Sequence, residues 1–228
     1  MQSQSLDLHL LGLGISLPVC EITGQPRIHN VVFDMGGVLA RYDMPAYVAS
    51  QVGNPDVAKQ LHDCIFASPE WILMDHGRLE EKLFLERILS RLPEDLHERA
   101  RFLFANWHKS MCPIAEVTAI ARRLIDAGYP LYLLSNASKR FHQYRVQLPI
   151  LNDFQACVIS ADWQDAKPSV SIYQRLMIEQ HLAPEESVFI DDMGANVAGA
   201  NLAGLWGVHY QGDALRLEKA LQCLGLCF

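Results

Sequence analysis

The apolar run Val31-Val32-Phe33 ends on a carboxylate, Asp34, and turns at once into Met35-Gly36-Gly37-Val38-Leu39. A continuous β-branched and aromatic run bounded by turn residues predicts a strand covered on both faces, as in a parallel sheet packed between helices. Open sheets of that kind gather ligands at the carboxyl ends of their strands, so Asp34 stands where a carboxylate can attack. The two glycines permit a sharp turn and bring backbone N–H groups close to an anion.

The layout recurs downstream. Leu131-Tyr132-Leu133-Leu134 runs into Ser135-Asn136, Val188-Phe189-Ile190 runs into Asp191-Asp192, and Lys167-Pro168 lies between them. These four points converge on one edge of one sheet. Alone, each has a plainer reading: a strand-end aspartate as a cap or turn residue, Ser-Asn as a turn, the lysine as a solvated surface charge. Together they offer carboxylates for Mg²⁺, hydroxyl, N–H and ammonium groups for phosphoryl oxygens, and an in-line nucleophile, which is what cleavage of a phosphate ester needs. Two adjacent carboxylates at the end of a buried strand also repel each other and call for a cation.

With these residues in view, the chain resembles the haloacid dehalogenase superfamily over roughly Asn30 to Tyr210. The four motifs stand in family order: Asp34-Met35-Gly36-Gly37-Val38, Leu134-Ser135-Asn136, Lys167-Pro168, and Asp191-Asp192 with Asn196 following. The nearest likeness is to sugar-phosphate phosphatases such as the α-D-glucose-1-phosphate phosphatases and the phosphatase domain of bifunctional epoxide hydrolases. The resemblance implies an α/β fold, a three-layer Rossmann-like parallel sheet with a small helical cap inserted, and Mg²⁺-dependent hydrolysis through a phospho-aspartyl intermediate. It makes Asp34 the nucleophile and a metal ligand, the Gly36 carbonyl and Asp192 further ligands, and Asp191 a ligand directly or through water. Met35, Gly36, Ser135, Asn136 and Lys167 would bind the phosphoryl group, and Asn196 would brace the acidic pair.

One departure matters. Phosphatases of this family usually carry a second aspartate two residues after the nucleophile, which protonates the leaving alcohol and then activates water; here that position is Gly36. The carbonyl ligand survives, whereas the general acid and base is lost, a change that typically costs ~10²–10⁴-fold. Some sugar-phosphate phosphatases of the family share the glycine. Asp43 and His76 are candidate substitutes.

Composition sets the remaining limits. At 228 residues and 50% hydrophobic content, the chain has room for one core domain and an insertion. A net charge of −7 with no basic stripe argues against nucleic acid or an anionic membrane as partner; the partner that the resemblance implies is a small phosphorylated molecule. Six scattered cysteines without a CxxC pair read as reduced thiols in a cytoplasmic protein. Leu8 to Val19 is apolar, but glycines, Pro18 and the lack of a basic start or cleavage site speak against a signal peptide. It is too short to cross a bilayer, which takes ~20 residues.

The expected organisation is an N-terminal extension over 1–29, a core over 30–43 and 112–228, and a helical cap over 44–111. Asn54-Pro55-Asp56 and Ser68-Pro69-Glu70 pair an N-cap residue with proline and an acid in the first turn, and Pro93-Glu94-Asp95 opens a further helix. Apolar stripes are expected at Leu83, Phe84, Ile88 and Leu92, at Leu96, Ala100, Leu103 and Trp107, and in the last helix at Leu215, Leu217, Leu221 and Leu224. The leading function is a phosphatase for a sugar phosphate or similar metabolite. The alternatives are a metal-free 2-haloacid dehalogenase, mildly favoured by Arg41, and a regulatory or binding protein of low turnover, motivated by Gly36.

Overall fold

In the computed structural model, which describes residues 14–16 and 27–228, the apolar runs lie side by side. The strands are β1 (Ile15–Ser16), β2 (Asn30–Phe33), β3 (Ala40–Arg41), β4 (Cys112–Pro113), β5 (Leu131–Ser135), β6 (Ala156–Ile159), β7 (Ser187–Asp191) and β8 (Trp206–His209). Six of them form one sheet in the order β1-β8-β7-β2-β5-β6. All neighbours are parallel except the edge strand β1, which pairs antiparallel with β8. Most of the expected extension, like Cys20, lies outside the described residues, but Ile15–Ser16 adds to the sheet edge.

Alternation along the strands sorts side chains into two cores. Val31, Phe33, Leu131, Leu133, Val188 and Ile190 face one way, against helices Ala115–Asp126 and Ala214–Cys223. Val32, Tyr132, Leu134 and Phe189 face the other, against helix Val170–Gln180 through Ile172, Tyr173, Leu176 and Met177. The result is a three-layer α/β core. Each large side chain buried in this way stabilises it by about 1.5–3 kcal/mol. Helix Gly194–Leu202 owes its small residues to close packing: a Cβ on Gly199 would stand 2.3 Å from the Pro168 carbonyl oxygen.

Between β3 and β4, which pair with each other, the chain is helical: Met44–Gln51, Pro55–Ile65, Pro69–Asp75, Glu81–Leu89 and His97–Asn106, with short 3-10 turns at Glu94–Leu96 and Trp107–Ser110. Asn54 accepts from the backbone N–H groups of Asp56 and Val57, and Ser68 from that of Trp71, so both N-terminal signals act as caps. Phe84, Ile88, Ala100, Leu103, Phe104 and Trp107 fill the insertion's core. Two expected core positions face solvent instead, Leu83 at 41% exposed and Leu215 at 72%. Each sits beside a stripe and not on it, because the 100° step of the helix carries it past the packed face. Strand β5 begins at Leu131, since Tyr129 still closes the preceding helix through its N–H to the Leu124 carbonyl.

The insertion is tied to the core beyond β5. Arg140 forms a two-pronged pair with Glu81 at 3.0 and 3.1 Å, donates to the carbonyls of Phe104 and Ala105, and stacks 4.5 Å over the Phe104 ring. A planar guanidinium is suited to such combined contacts. A second tie is the turn after Asp75: the Ser160 hydroxyl donates to the Asp75 carbonyl, and Gly77 packs on the Ala161 backbone.

Candidate active site

The central strand β2 pairs with β5 on one side and β7 on the other, with Phe33 in register with both Leu133 and Ile190. The residues just past these partners are Asp34, the Leu134-Ser135 end of β5 and Asp191, so sheet register delivers them to one edge. Carboxylate oxygens of Asp34, Asp191 and Asp192 lie within 4.8 Å of one another.

The Lys167 ammonium stands among them, donating to Asp34 Oδ1 at 2.7 Å and to Asp191 Oδ2 at 2.6 Å. Asp34, Lys167 and Asp191 are 7%, 4% and 0% exposed, which makes these contacts obligatory, since an unpaired charge at such depth is costly. Burial pulls the ammonium of Lys167 down, but Asp34 and Asp191 outweigh it and hold it above its ordinary value. Burial pushes the Asp34 carboxyl up to about 6 against the pull of Lys167, and burial followed by the Asp191 charge also raises Asp192.

The ammonium is positioned from behind. The Asn136 carboxamide donates to the Lys167 carbonyl and accepts from its N–H, both at 2.9 Å, ahead of the cis Lys167-Pro168 bond. Ser135, the last residue of β5, is buried just before Asn136. Asp191 is fully engaged: Asn196 Nδ2 reaches both its oxygens at 3.0 Å and the Met193 N–H donates to Oδ1 at 2.8 Å. Tyr173 in turn donates to the Asn196 carbonyl at 2.7 Å. Asp192 is held through its backbone, whose carbonyl meets His209 Nε2 at 2.9 Å, and its carboxylate bonds its own N–H and is otherwise free of hydrogen-bond partners among the described residues.

The turn after β2 closes on itself, with the Gly37 N–H donating to the Ala40 carbonyl at 2.8 Å and the Leu39 N–H to the Met35 carbonyl at 2.9 Å. Gly37 has φ +72°, and a Cβ there would stand 2.2 Å from Asp192 Oδ2, so only glycine lets this turn approach the acidic pair. Three carboxylates against one ammonium leave an excess of two negative charges. Together with the free Asp192 oxygens, that donor set fits a hard divalent cation with oxygen ligands.

Of the candidate substitutes for the missing acid, Asp43 is committed elsewhere, as the N-cap accepting from Ala46 N–H at 2.8 Å. His76 has its imidazole pushed down by burial and by Arg78. Two groups that sequence reading passed over lie closer to the chemistry. Asp75, at the end of helix Pro69–Asp75, has its carboxyl raised by burial to about 7, opposed by the Ser138 backbone and the Trp71 side chain. Tyr42, just past β3, turns its hydroxyl toward Gly36, and its phenol is pushed well above the usual range by burial and then by Asp34, Asp75 and Asp192. No motif flags either residue, because both reach the site through packing of the insertion.

Comparisons with known proteins place the chain in a family and its fold among solved structures. The chain is 27% identical over 195 residues to the sesquiterpene phosphatase astK of Aspergillus oryzae, covering 85% of this chain and 95% of that protein. Its fold matches a HAD family enzyme of Bacteroides thetaiotaomicron solved with magnesium and inorganic phosphate, with a TM-score of 0.62 at 20% identity over 82% of this chain and 96% of the other. It also matches L-2-haloacid dehalogenase from Xanthobacter autotrophicus, with a TM-score of 0.58 at 18% identity, covering 85% and 88% of the two chains. The haloacid dehalogenase-like hydrolase profile matches residues 28–204, most of the chain, and the protein belongs to that family of hydrolases.

Proposed function

We propose that the protein is a Mg²⁺-dependent phosphatase that hydrolyses a small phosphorylated metabolite through a phospho-Asp34 intermediate. The observation that carries this reading is the clustering of Asp34, Asp191 and Asp192 within 4.8 Å around the buried Lys167 ammonium. Asp34, Asp192 and the Gly36 carbonyl would hold the ion, with Asp191 acting through water because its oxygens already serve Lys167, Asn196 and Met193. Bound there, Mg²⁺ neutralises charge on the phosphoryl oxygens.

The protein's own groups do the rest. One Asp34 oxygen attacks phosphorus in line. Lys167, Ser135 and the N–H groups of Met35, Gly36 and Asn136 receive the three equatorial oxygens, where charge spreads in the transition state. The helical insertion acts as a cap that excludes water and selects the leaving group. Free thiols at all five described cysteines fit a reducing, cytoplasmic setting. Among the described residues no helix is long and apolar enough to cross a membrane.

Sugar phosphates are the first substrate class to test. A second class, apolar phosphates of the terpenoid kind, is favoured by the wall beside Tyr42. There Trp107 meets Tyr42, Trp71 and Tyr144 edge-on with ring centroids 5.9, 5.5 and 5.2 Å apart. A metal-free dehalogenase would instead leave three clustered carboxylates facing one ammonium.

The test is a phosphate-release screen over sugar, nucleotide, small-acid and prenyl phosphates with and without Mg²⁺. Turnover should require Mg²⁺, vanish reversibly in EDTA and vanish in Asp34→Asn. Halide release from haloacids in EDTA, or phosphate release independent of metal, would overturn the reading. Background rates across the whole screen would favour the regulatory alternative.

A further inference from the structure

The space beside Gly36 is already taken. An ideal Cβ on Gly36 would stand 2.6 Å from the Tyr42 hydroxyl oxygen, 3.4 Å from Cζ and 3.6 Å from Cε1, so the phenol end of Tyr42 fills the volume a side chain at 36 would occupy. Residue 42 as a whole is 42% exposed, but its hydroxyl end is the part turned inward. That oxygen feels the charges of Asp34 and Asp192 from the strand ends and of Asp75 from the insertion. By geometry, the hydroxyl stands at the Gly36 turn, two residues past Asp34, while the ring rests against Trp107 of the insertion.

Resting on the phosphatase reading, we propose that Tyr42 is a catalytic residue whose hydroxyl donates a hydrogen bond to the leaving-group oxygen, in the place of the side chain absent at position 36. Packing explains the ring, which meets Trp107 edge-on, but a phenylalanine would pack there equally well. Packing does not explain a hydroxyl that has no hydrogen-bond partner among the described residues and stands against the Gly36 turn, two residues past the nucleophile. An O–H donor in those surroundings is matched to an oxygen gaining negative charge. A phenol, whose ordinary pKa is about 10, carries its proton near neutral pH and so acts there as a donor and not as a base.

The step then balances without a protein acid. The Asp34 oxygen–phosphorus bond forms and the phosphorus–ester oxygen bond breaks, with its electron pair staying on the leaving oxygen under the Tyr42 O–H. A water molecule protonates that alkoxide, and the resulting hydroxide attacks the phosphorus of phospho-Asp34, returning the Asp34 carboxylate and releasing inorganic phosphate. The arrangement favours esters whose leaving groups tolerate negative charge.

The test compares kcat/KM of wild type and Tyr42→Phe for an alkyl phosphate taken from the screen and for p-nitrophenyl phosphate. Removing one such donor should cost the alkyl ester on the order of 10–100-fold more than the aryl ester, whose leaving group needs less help. Equal losses on both esters, or none, would overturn the role of Tyr42 and leave the phosphatase reading intact. A wild type inactive on both esters, as well as across the screen, would overturn both. A second pair needs no activity: Gly36→Ala should lower the melting temperature in the wild-type background, and Tyr42→Phe should recover most of the loss. Independent, additive effects would show that hydroxyl and side chain do not compete for this space.

Discussion

The strand tips and the helical insertion furnish the same site by different means. At the tips, Asp34, Ser135 and Asp191 are placed by hydrogen-bond register in a sheet buried on both faces, and Lys167 is drawn in by opposite charge. The spacing is set by the backbone, so the groups cluster whatever surrounds them. In the insertion, Asp75 and the wall of Trp71 and Trp107 reach the site only because Arg140 grips Glu81 and the Ser160 hydroxyl holds the Asp75 carbonyl. One half is held by sheet register, the other by side-chain contacts between the insertion and the core.

Substitutions at the tips should therefore act on chemistry or on global stability. The largest effect expected is that of Asp34→Asn, a loss of turnover of at least ~10³-fold with the far-UV spectrum unchanged; steady-state phosphate release on the best substrate of the screen measures it. Lys167→Met comes next. It leaves the carboxylates of Asp34 and Asp191 buried without their shared cation, a change expected to cost about 3–5 kcal/mol in urea unfolding, partly recovered on adding Mg²⁺. Stability unchanged in metal-free buffer would mean that the ammonium is not what holds the acidic cluster together.

Gly37→Ala tests the tip turn by itself. A Cβ at φ +72° and 2.2 Å from Asp192 Oδ2 should destabilise by about 1–3 kcal/mol and weaken Mg²⁺ binding, read by calorimetry on the purified protein. If the metal affinity stays as in wild type, the close approach of this turn to Asp192 has no bearing on the ion.

The smallest expected effect belongs to the docked half and depends on pH. Burial raises Asp75 from its ordinary 3.8 to about 7, so the fold favours the protonated carboxyl. That contribution is complete below pH 3.8 and is lost as pH rises through about 7, because the unfolded chain binds fewer protons than the folded one in this interval. Asp75→Asn removes the cost of burying the anion, and should raise stability by about 1–2 kcal/mol at pH 8 while changing little at pH 3.5, followed by thermal unfolding at both values. A gain equal at both pH values would show that the effect is one of packing.

Legibility in the sequence follows the same line. Val31 to Phe33, Leu131 to Leu134 and Val188 to Ile190 announce buried strands through unbroken apolar runs, and the polar residue after each marks a sheet edge. Caps at Asn54, Ser68 and Asp213 are equally plain, since a cap bonds its own next turn. Leu83 and Leu215 misled because a leucine near a helical stripe differs from one on it by a single 100° step. Asp43 and Asp75 look alike as isolated aspartates, yet one caps a helix in the open and the other is half-buried with its carboxyl pushed up. No motif marks Lys139 and Arg140, which pair with Glu80 and Glu81 and clasp the insertion to the core.

The sequence by itself determined the α/β core, the order of its motifs and the grouping of Asp34, Ser135, Lys167 and Asp191, because those follow from period, turn chemistry and register, all of which act over a few neighbouring residues. Only the tertiary structure decided that Asn136 spends its carboxamide on the Lys167 backbone, that the Asp75 carboxyl is pushed up by its surroundings, and that the Tyr42 hydroxyl fills the gap left at Gly36. Each of these depends on how separately folded segments pack, and packing is settled by shape and desolvation across the whole molecule, which no local pattern encodes.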